Sequence, residues 1–218
     1  MLKMKIIAQR FMNQIQDIYQ LDGFGNVLPG NLVRSIDNIN SYIGQAMTMY
    51  FDSLMKAAAG RQDFINKVPE FHSITGLITI PMAGSTVLDL STLANNKDIY
   101  DVLDSYTTVS GVKLEAWNQI YLNDALIGSD PFYVGTAAHP GMIYMPPKLY
   151  LFPITLTVSS SFGFYLNYIK NPVSPTTGQY FDVNSATEDC PFSITHLQNI
   201  ADLAVKIFDA DDMKEDPA

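Results

Sequence analysis

Three histidines and one cysteine are the side chains in this sequence best suited to binding a metal ion. His72, His139 and His196 lie far apart, and Cys190 lies six residues before His196. Protein zinc sites usually contain ligand pairs separated by only a few residues, and no such pair occurs here. We therefore expect no metal site and no cofactor, and we interpret the histidines as hydrogen-bonding residues at turns or caps. A single cysteine also excludes an intrachain disulfide.

Covalent catalysis needs a nucleophile beside a base and an orienting group. Cys190 precedes Pro191, and no histidine stands at a local position that would identify a catalytic pair. The serines at 159–161 lie in a predicted strand without the Gly-x-Ser-x-Gly turn. The glycine-rich segment 23–30 follows a predicted helix, whereas a dinucleotide-binding loop follows a strand. We therefore expect no catalytic residues, and an enzyme is the least favoured class of function.

Carboxylates recur in two places. Asp98, Asp101 and Asp104 stand three residues apart, a spacing that places side chains on one side of a helix. We interpret them as a solvated acidic face, with divalent cation binding as the lesser alternative. The acidic segment 209–212 lacks the glycine turn and distal glutamate of a calcium loop. We expect the acidic tail at 209–216 to be solvated and poorly ordered.

Aromatic residues are abundant, with 12 Tyr, 12 Phe and one Trp. Stacking on single-stranded nucleic acid would need basic residues interleaved with these rings, and basic residues are sparse. Sugar binding around Trp117 or Tyr180 is one alternative. Core packing and protein–protein contact are the commoner uses of Tyr, Phe and Met. Together with ten methionines, the aromatic residues favour extensive subunit contact.

The charge content is low and acidic. Only 16% of the residues are charged, and the formal net charge is −9, whereas soluble domains average about 25% charged residues. The scarcity of Lys and Arg disfavours binding to duplex DNA. We infer that other subunits cover part of the surface. The sequence shows neither a signal-peptide core nor a run of about 18 apolar residues, so we expect a protein that is neither secreted nor membrane-spanning.

Spacings of three and four between apolar residues predict three main helices, at residues 4–18, 31–60 and 193–208. The second would begin at Asn31 as its N-cap and stop at Gly60, giving a rod of about 28 residues and roughly 40 Å. Ser193 is the predicted N-cap of the third.

The period changes after residue 72, and shorter apolar runs predict strands. We also expect a short helical piece at Ile99–Leu103 followed by a Thr/Val strand, and we favour a helix at Lys113–Leu126. Gly163 is a candidate β-bulge. The strands are predicted at 74–80, near Tyr133, at 143–145, at 148–152 and at 154–169, and a polar loop at 171–191.

The resulting fold class is α+β, with a long-helix bundle at the N-terminus, an antiparallel β-sheet or sandwich, and a C-terminal helix. We expect a helical module at 1–70 and a β-rich module at 71–218 that the C-terminal helix closes. The two are expected to form one continuous compact unit.

One ordered combination of motifs in residues 138–208 resembles a known family. It comprises Ala138-His139-Pro140, the strand at Ile143-Tyr144, a strand ending in Pro153, Tyr168-Ile169-Lys170-Asn171-Pro172, and a helix that begins Ser193-Ile194-Thr195-His196 and ends Leu203-Ala204-Val205-Lys206-Ile207. This order is similar to the head-to-tail ring or adaptor (connector) proteins of tailed bacteriophages, in particular crAss-like phages. The long helix at 31–60 also resembles the connector helix of such adaptors.

The resemblance implies a virion structural protein of the phage neck or tail, made in the host bacterial cytoplasm. It implies a cyclic homo-oligomer, dodecameric in that family, that joins the portal to other tail and ring proteins. DNA would pass through the channel without specific binding, and no membrane would be involved. Residues 171–191 and the N-terminal helix are the candidate docking segments. The alternative is a tail-associated protein that binds host glycans.

Overall fold

The computed structural model describes residues 3–18, 36–80, 87–93, 95–109, 112–119, 141–152 and 162–215. The described helices and strands confirm the α+β class. The chain divides into two compact units, one made of Met1–Glu70 with Asn171–Ala218 and the other of Phe71–Lys170. The chain passes from one unit to the other after Glu70 and again after Lys170. Residues 171–218, which we expected in the β-rich module, instead group with the helices. The reason is that the C-terminal helix packs against the two long N-terminal helices.

The helical unit contains four described helices: α1 (Lys3–Ile18), α2 (Ile36–Ala57), α3 (Arg61–Lys67) and α4 (Leu197–Glu215). The predicted helix at 4–18 is confirmed. Helix α2 is described over 22 residues, about 33 Å at 1.5 Å per residue, and ends three residues before Gly60. The proposed N-cap Asn31 lies outside the described residues.

Helix α4 differs from its prediction at both ends. A 3₁₀ turn at Ile194–His196 precedes it, and the Ser193 side chain makes no capping hydrogen bond. The helix continues to Glu215, so the acidic tail is helical over residues 209–215 rather than poorly ordered. None of the described helices is both long and apolar enough to cross a membrane.

Aromatic side chains join α1, α2 and α4 at the centre of the helical unit. The Phe208 ring lies edge-on to Phe11 and Tyr42, with centroid separations of 6.0 and 5.5 Å, and the Phe11 and Tyr42 centroids are 6.2 Å apart. All three are buried. The apolar positions that predicted α1 are also buried: Met4, Ile7, Phe11 and Ile15. This burial of one helix face is what the spacing of three and four encodes.

The segment 171–193 is not a projecting loop. It packs within the helical unit and buries apolar side chains, namely Phe181, Val183, Cys190 and Phe192. Its polar composition reflects the turns between those buried positions, where side-chain oxygens accept backbone N–H groups. Ser174 Oγ, for example, accepts from the backbone N of Thr177 at 3.1 Å.

The β unit has eight described strands, of which the fourth, fifth and eighth are the longest. They are β1 (His72–Ile74), β2 (Ile78–Ile80), β3 (Val87–Asp89), β4 (Ile99–Val109), β5 (Val112–Gln119), β6 (Gly141–Met145), β7 (Lys148–Phe152) and β8 (Phe162–Lys170). Strand β8 pairs with β4 on one side and with β1 and β2 on the other. Strands β4–β5, β6–β7 and β3–β7 pair antiparallel, and a short parallel pairing joins β5 to β6.

Two helix predictions in this unit are wrong. Ile99–Leu103 belongs to β4, and the described part of Lys113–Leu126 belongs to β5. Register shifts against β8 interrupt the alternation of β4 between residues 99 and 101 and again between 102 and 104. An extra residue at each shift breaks the period of two, so core-facing residues fall three apart and imitate a helix.

The strands predicted at 143–145 and 148–152 are confirmed as β6 and β7. Of the strand predicted at 154–169, β8 confirms the part from Phe162, whereas residues 153–161 and the strand near Tyr133 lie outside the described residues. Gly163 pairs in register with Thr79 and is not at a bulge. Its missing side chain makes room for Leu77, whose Cδ1 would lie 2.9 Å from a Cβ at that position.

The strand predicted at 74–80 is divided into β1 and β2. Ile74 pairs with Asn167 and Ile78 with Phe164, so the intervening chain contains one residue more than the facing part of β8. At this irregularity, the backbone N of Leu166 donates to Thr75 Oγ1 at 3.0 Å, and the backbone N of Thr75 donates to the Leu166 carbonyl at 3.0 Å. The threonine hydroxyl therefore replaces a backbone acceptor.

The core of the β unit lies on one face of β8. Its buried residues are Ile78, Leu90, Val102, Met142, Leu149, Phe164 and Leu166. Because side chains alternate along a strand, Gly163, Tyr165 and Asn167 belong to the opposite face of β8.

Candidate functional site

The three aspartates that we expected on a helical face do not share one. Asp104 lies in β4 and accepts a hydrogen bond from the Asn167 side-chain amide. Asp98 is buried just before β4 and accepts from the Tyr168 hydroxyl at 3.3 Å. Burial first, and then Asp98, raises the pKa of Tyr168 to about 12. Within the described residues, no group of three or more His, Cys, Asp or Glu side chains could hold a metal ion.

His196 lies at the centre of a polar cluster in the helical unit. Its Nδ1 is 3.0 Å from Tyr50 Oη, and Asn199 Nδ2 donates to the same hydroxyl at 3.0 Å. On the other side of the ring, Nε2 is 3.8 Å from Glu70 Oε1. That carboxylate also accepts from the backbone N of Ser193 at 3.0 Å. The cluster therefore connects α2 and α4 to Glu70.

A histidine between a hydroxyl and a carboxylate is an arrangement that general-base catalysis also uses. Here the imidazole is packed against the rings of Tyr50 and Phe192, with centroids 5.6 and 6.1 Å away. Only about a fifth of the His196 and Glu70 side chains is exposed, 20% and 22%. Each group of the cluster fastens one element to another, which is the role of a hydrogen-bonding histidine at a turn. Of the other histidines, His72 is exposed in β1, and His139 lies outside the described residues.

The start of α1 is capped by a side chain from the far end of the chain. The Asp189 carboxylate accepts from the backbone N of Lys3 at 2.7 Å and of Met4 at 2.9 Å. The Lys3 ammonium donates to the Phe192 carbonyl at 2.9 Å. A carboxylate at a helix N-terminus satisfies unpaired N–H groups and complements the helix dipole. This contact anchors the N-terminal helix to the segment 171–193.

Cys190 is the buried neighbour of that cap and is expected to be unreactive. Burial is the main cause that raises the pKa of its thiol to about 12, and only the thiolate attacks thiol reagents. We expect labelling by Ellman's reagent at about pH 8 to be roughly a hundredfold or more slower in the folded protein than in urea. Because the folded pKa is raised, the thiol's contribution to stability is complete below the unfolded value of about 8.5 and is lost as the pH rises towards 12.

The unfolded protein in urea is the internal control for that labelling experiment, since it contains the same single thiol. Rapid, stoichiometric labelling of the folded protein would show that Cys190 is accessible and would contradict its burial.

Tyr180 packs on α2 at Gly44, a residue without a side chain. It is 41% exposed, and a Cβ added to Gly44 would lie 2.2 Å from its Cγ. One helical turn away, Asn40 Nδ2 donates to Asp182 Oδ1 at 3.2 Å, and Asn40 Oδ1 accepts from the backbone N of Val183 at 3.1 Å. Trp117, the other aromatic residue considered for sugar binding, lies in β5, and its side chain is outside the described part of the chain.

A partly exposed apolar surface lies on the second face of β8. We call it the tyrosine face and define it by Ile74, Leu77, Tyr106 and Tyr165. The two tyrosines are cross-strand partners whose rings stack, with a centroid separation of 5.2 Å and an interplanar angle of 18°. Ile74 and Leu77 are 43% and 59% exposed.

Sequence reasoning did not identify the tyrosine face or the His196 cluster, because strand pairing and helix packing bring their members together from distant positions. In the helical unit, Met49 and Ile194 are also exposed, at 53% and 67%. No protein-family model matches the chain, and no curated protein sequence matches it.

Proposed function

We propose that the protein is a structural subunit of an oligomeric ring in the head-to-tail assembly of a tailed bacteriophage. It would join the portal to the tail and surround the DNA channel in the neck of the virion. The proposal begins from the ordered motifs in residues 138–208, which resemble phage ring and adaptor proteins. The structural observation that carries it is the tyrosine face.

The tyrosine face has the composition of a protein–protein contact. Exposed Leu77 and Ile74 lie on the same face of β8 as two stacked tyrosines, and interface centres are enriched in aromatic residues. The same face also carries Asn167, which is hydrogen-bonded to exposed Asp104. Contiguous exposed apolar surface in a folded protein usually marks a binding surface. In a chain with only 16% charged residues, the occupant that we propose is a neighbouring copy of the same chain. Ring closure requires such a head-to-tail contact between unlike surfaces.

The net charge of −9 suits a ring through which DNA passes. A protein that grips duplex DNA neutralises phosphates with clustered Lys and Arg. An acidic protein instead repels phosphates, so the channel would let DNA move without specific binding. The role that we propose requires lateral contacts and no catalysis.

The test is the native mass of the full-length protein, measured by native mass spectrometry alone and with the phage portal. We expect a closed assembly near a twelve-fold multiple of the subunit, formed either alone or only on the portal. Leu77→Glu should return the protein to monomers, because a charge at the contact must be desolvated. Met49→Glu, at an exposed position on α2, is the matched control and should assemble normally.

Two results would each contradict a different part of this proposal. A wild-type monomer that ignores the portal would exclude the ring subunit. Normal assembly of the Leu77→Glu protein would retain the ring but exclude the tyrosine face as its contact. Deleting residues 173–188 would test whether this segment docks on a neighbouring protein. The deletion is less informative than Leu77→Glu, because it also removes Phe181 and Val183 from the core.

A further inference from the structure

One face of the Tyr180 ring lies on α2, and the opposite face is turned away from the helix. A Cβ on Gly44 would lie 2.2 Å from Cγ of the ring, 2.5 Å from Cδ2 and 2.6 Å from Cδ1. Near-equal distances to the two Cδ atoms, with Cγ closest, place that Cβ above the plane of the ring rather than beside its edge. Tyr180 is 41% exposed, so a large part of its side chain is open to a ligand.

The ring is held in place before any ligand arrives. The next residue, Phe181, is 3% exposed and anchors the chain in the core. Asp182 accepts from the Asn40 side chain and from the backbone N of Asn184 at 2.8 Å. Since Asn40 and Gly44 are one turn apart on α2, the segment is attached to the helix at two successive turns. Binding to this ring therefore requires little ordering of the protein.

Polar side chains that can donate or accept hydrogen bonds flank Tyr180 in the sequence. Gln179, Asp182 and Asn184 are exposed, and they supply two amides and a carboxylate. Sugar hydroxyls both donate and accept hydrogen bonds, and the C–H face of a pyranose is apolar, so an aromatic face with flanking amides and a carboxylate suits a sugar.

The charged residues in the segment that contains Tyr180 distinguish among ligands that stack on aromatic rings. No Lys or Arg occurs in residues 171–205, whereas single-stranded nucleic acid needs basic residues beside the stacking ring. The same absence, with a net charge of −9, disfavours acidic sugars. We propose that Tyr180 is a stacking platform for a neutral pyranose ring, with Asp182 accepting a hydrogen bond from a sugar hydroxyl. Such a site gives the alternative function, a tail-associated glycan-binding protein, a defined location.

The experiment is a glycan array with the full-length protein, followed by saturation-transfer NMR with methyl β-D-glucopyranoside, methyl β-D-galactopyranoside and N-acetylglucosamine. We expect one or more neutral sugars to bind. Tyr180→Leu retains an apolar contact on Gly44 but removes the ring face, and it should weaken binding about tenfold. Tyr180→Phe retains the face and should bind within about twofold of wild type.

Tyr100→Leu is the matched control, because Tyr100 is 39% exposed and lies in the β unit; it should bind as wild type does. Gly44→Ala is a second route to the same site, since its Cβ displaces the ring without removing it, and it should also weaken binding. Unchanged thermal unfolding of Tyr180→Phe and Tyr180→Leu separates loss of the site from loss of the fold.

The absence of binding to every neutral sugar, or equal binding by Tyr180→Leu and wild type, would overturn the proposal. Binding of arginine methyl ester in place of sugars would do the same, because it would identify the ring with its carboxylate as a contact for a cationic side chain. Neither result depends on whether the protein forms rings.

Discussion

Replacing Phe208 by alanine is expected to lower the free energy of unfolding by about 3–5 kcal/mol, the usual cost of deleting a buried aromatic ring. Phe208 is 1% exposed and contacts the rings of Phe11 and Tyr42 edge-on. These three residues come from α4, α1 and α2. The variant therefore leaves a cavity where three helices meet, and edge-to-face aromatic contacts are lost as well. Urea denaturation followed by circular dichroism measures the effect.

Phe208→Leu fills most of that cavity and is expected to cost less than half as much as the alanine variant. Lys206→Ala, at an exposed position of the same helix, should change the free energy of unfolding by no more than about 0.5 kcal/mol. If Phe208→Ala cost no more than Lys206→Ala, the packing of α4 at the centre of the helical unit would be incorrect.

The three main helices, α1, α2 and α4, were readily predicted from sequence, unlike the two helices expected in what is the β unit. In α1, the spacing of Met4, Ile7, Phe11 and Ile15 matches a helix that is buried along one face, and all four side chains are buried. Strands β6 and β7 were also predicted, since they are short apolar runs bounded by turn residues. In both cases, the local pattern and the tertiary environment agree.

Strand β4 shows why a local pattern can fail. Its irregular register against β8 is a property of two strands together, and no periodicity within one strand contains it. The assignment of residues 171–218 to the helical unit is similarly long-range. Asp189, for example, caps α1 from 186 residues away, and sequence alone shows only an aspartate in a polar segment.

The candidate sites were only partly accessible to sequence reasoning. Tyr180 was considered as a sugar-binding residue, but its partner on α2 was not. One signal was present: Gly44 interrupts a strongly apolar helix at a cost of about 1 kcal/mol relative to alanine, and such a glycine usually permits a close approach. The tyrosine face had no comparable signal, because Tyr106 and Tyr165 become neighbours only through strand pairing.

Replacing Thr75 by valine is expected to destabilise the β unit by about 1–3 kcal/mol, the cost of leaving a buried hydrogen-bonding group without a partner. Thr75 is 4% exposed, and its Oγ1 accepts from the backbone N of Leu166 within the buried part of the strand irregularity. Valine has nearly the same shape but no acceptor. The decrease in the free energy of unfolding therefore measures the loss of the hydrogen bond rather than the creation of a cavity. Urea denaturation of the full-length protein should detect it.

Thr75→Ser is the matched control, because it retains the hydroxyl and removes only a methyl group. If the hydroxyl replaces a ladder acceptor, the serine protein should protect the Leu166 amide from hydrogen exchange nearly as well as wild type, whereas the valine protein should exchange that amide faster. Amides elsewhere in β8, such as Tyr168, set the scale for global unfolding. Equal protection of Leu166 in the valine and serine proteins would mean that another group accepts this N–H. In that case, the division between β1 and β2 would not depend on the threonine side chain.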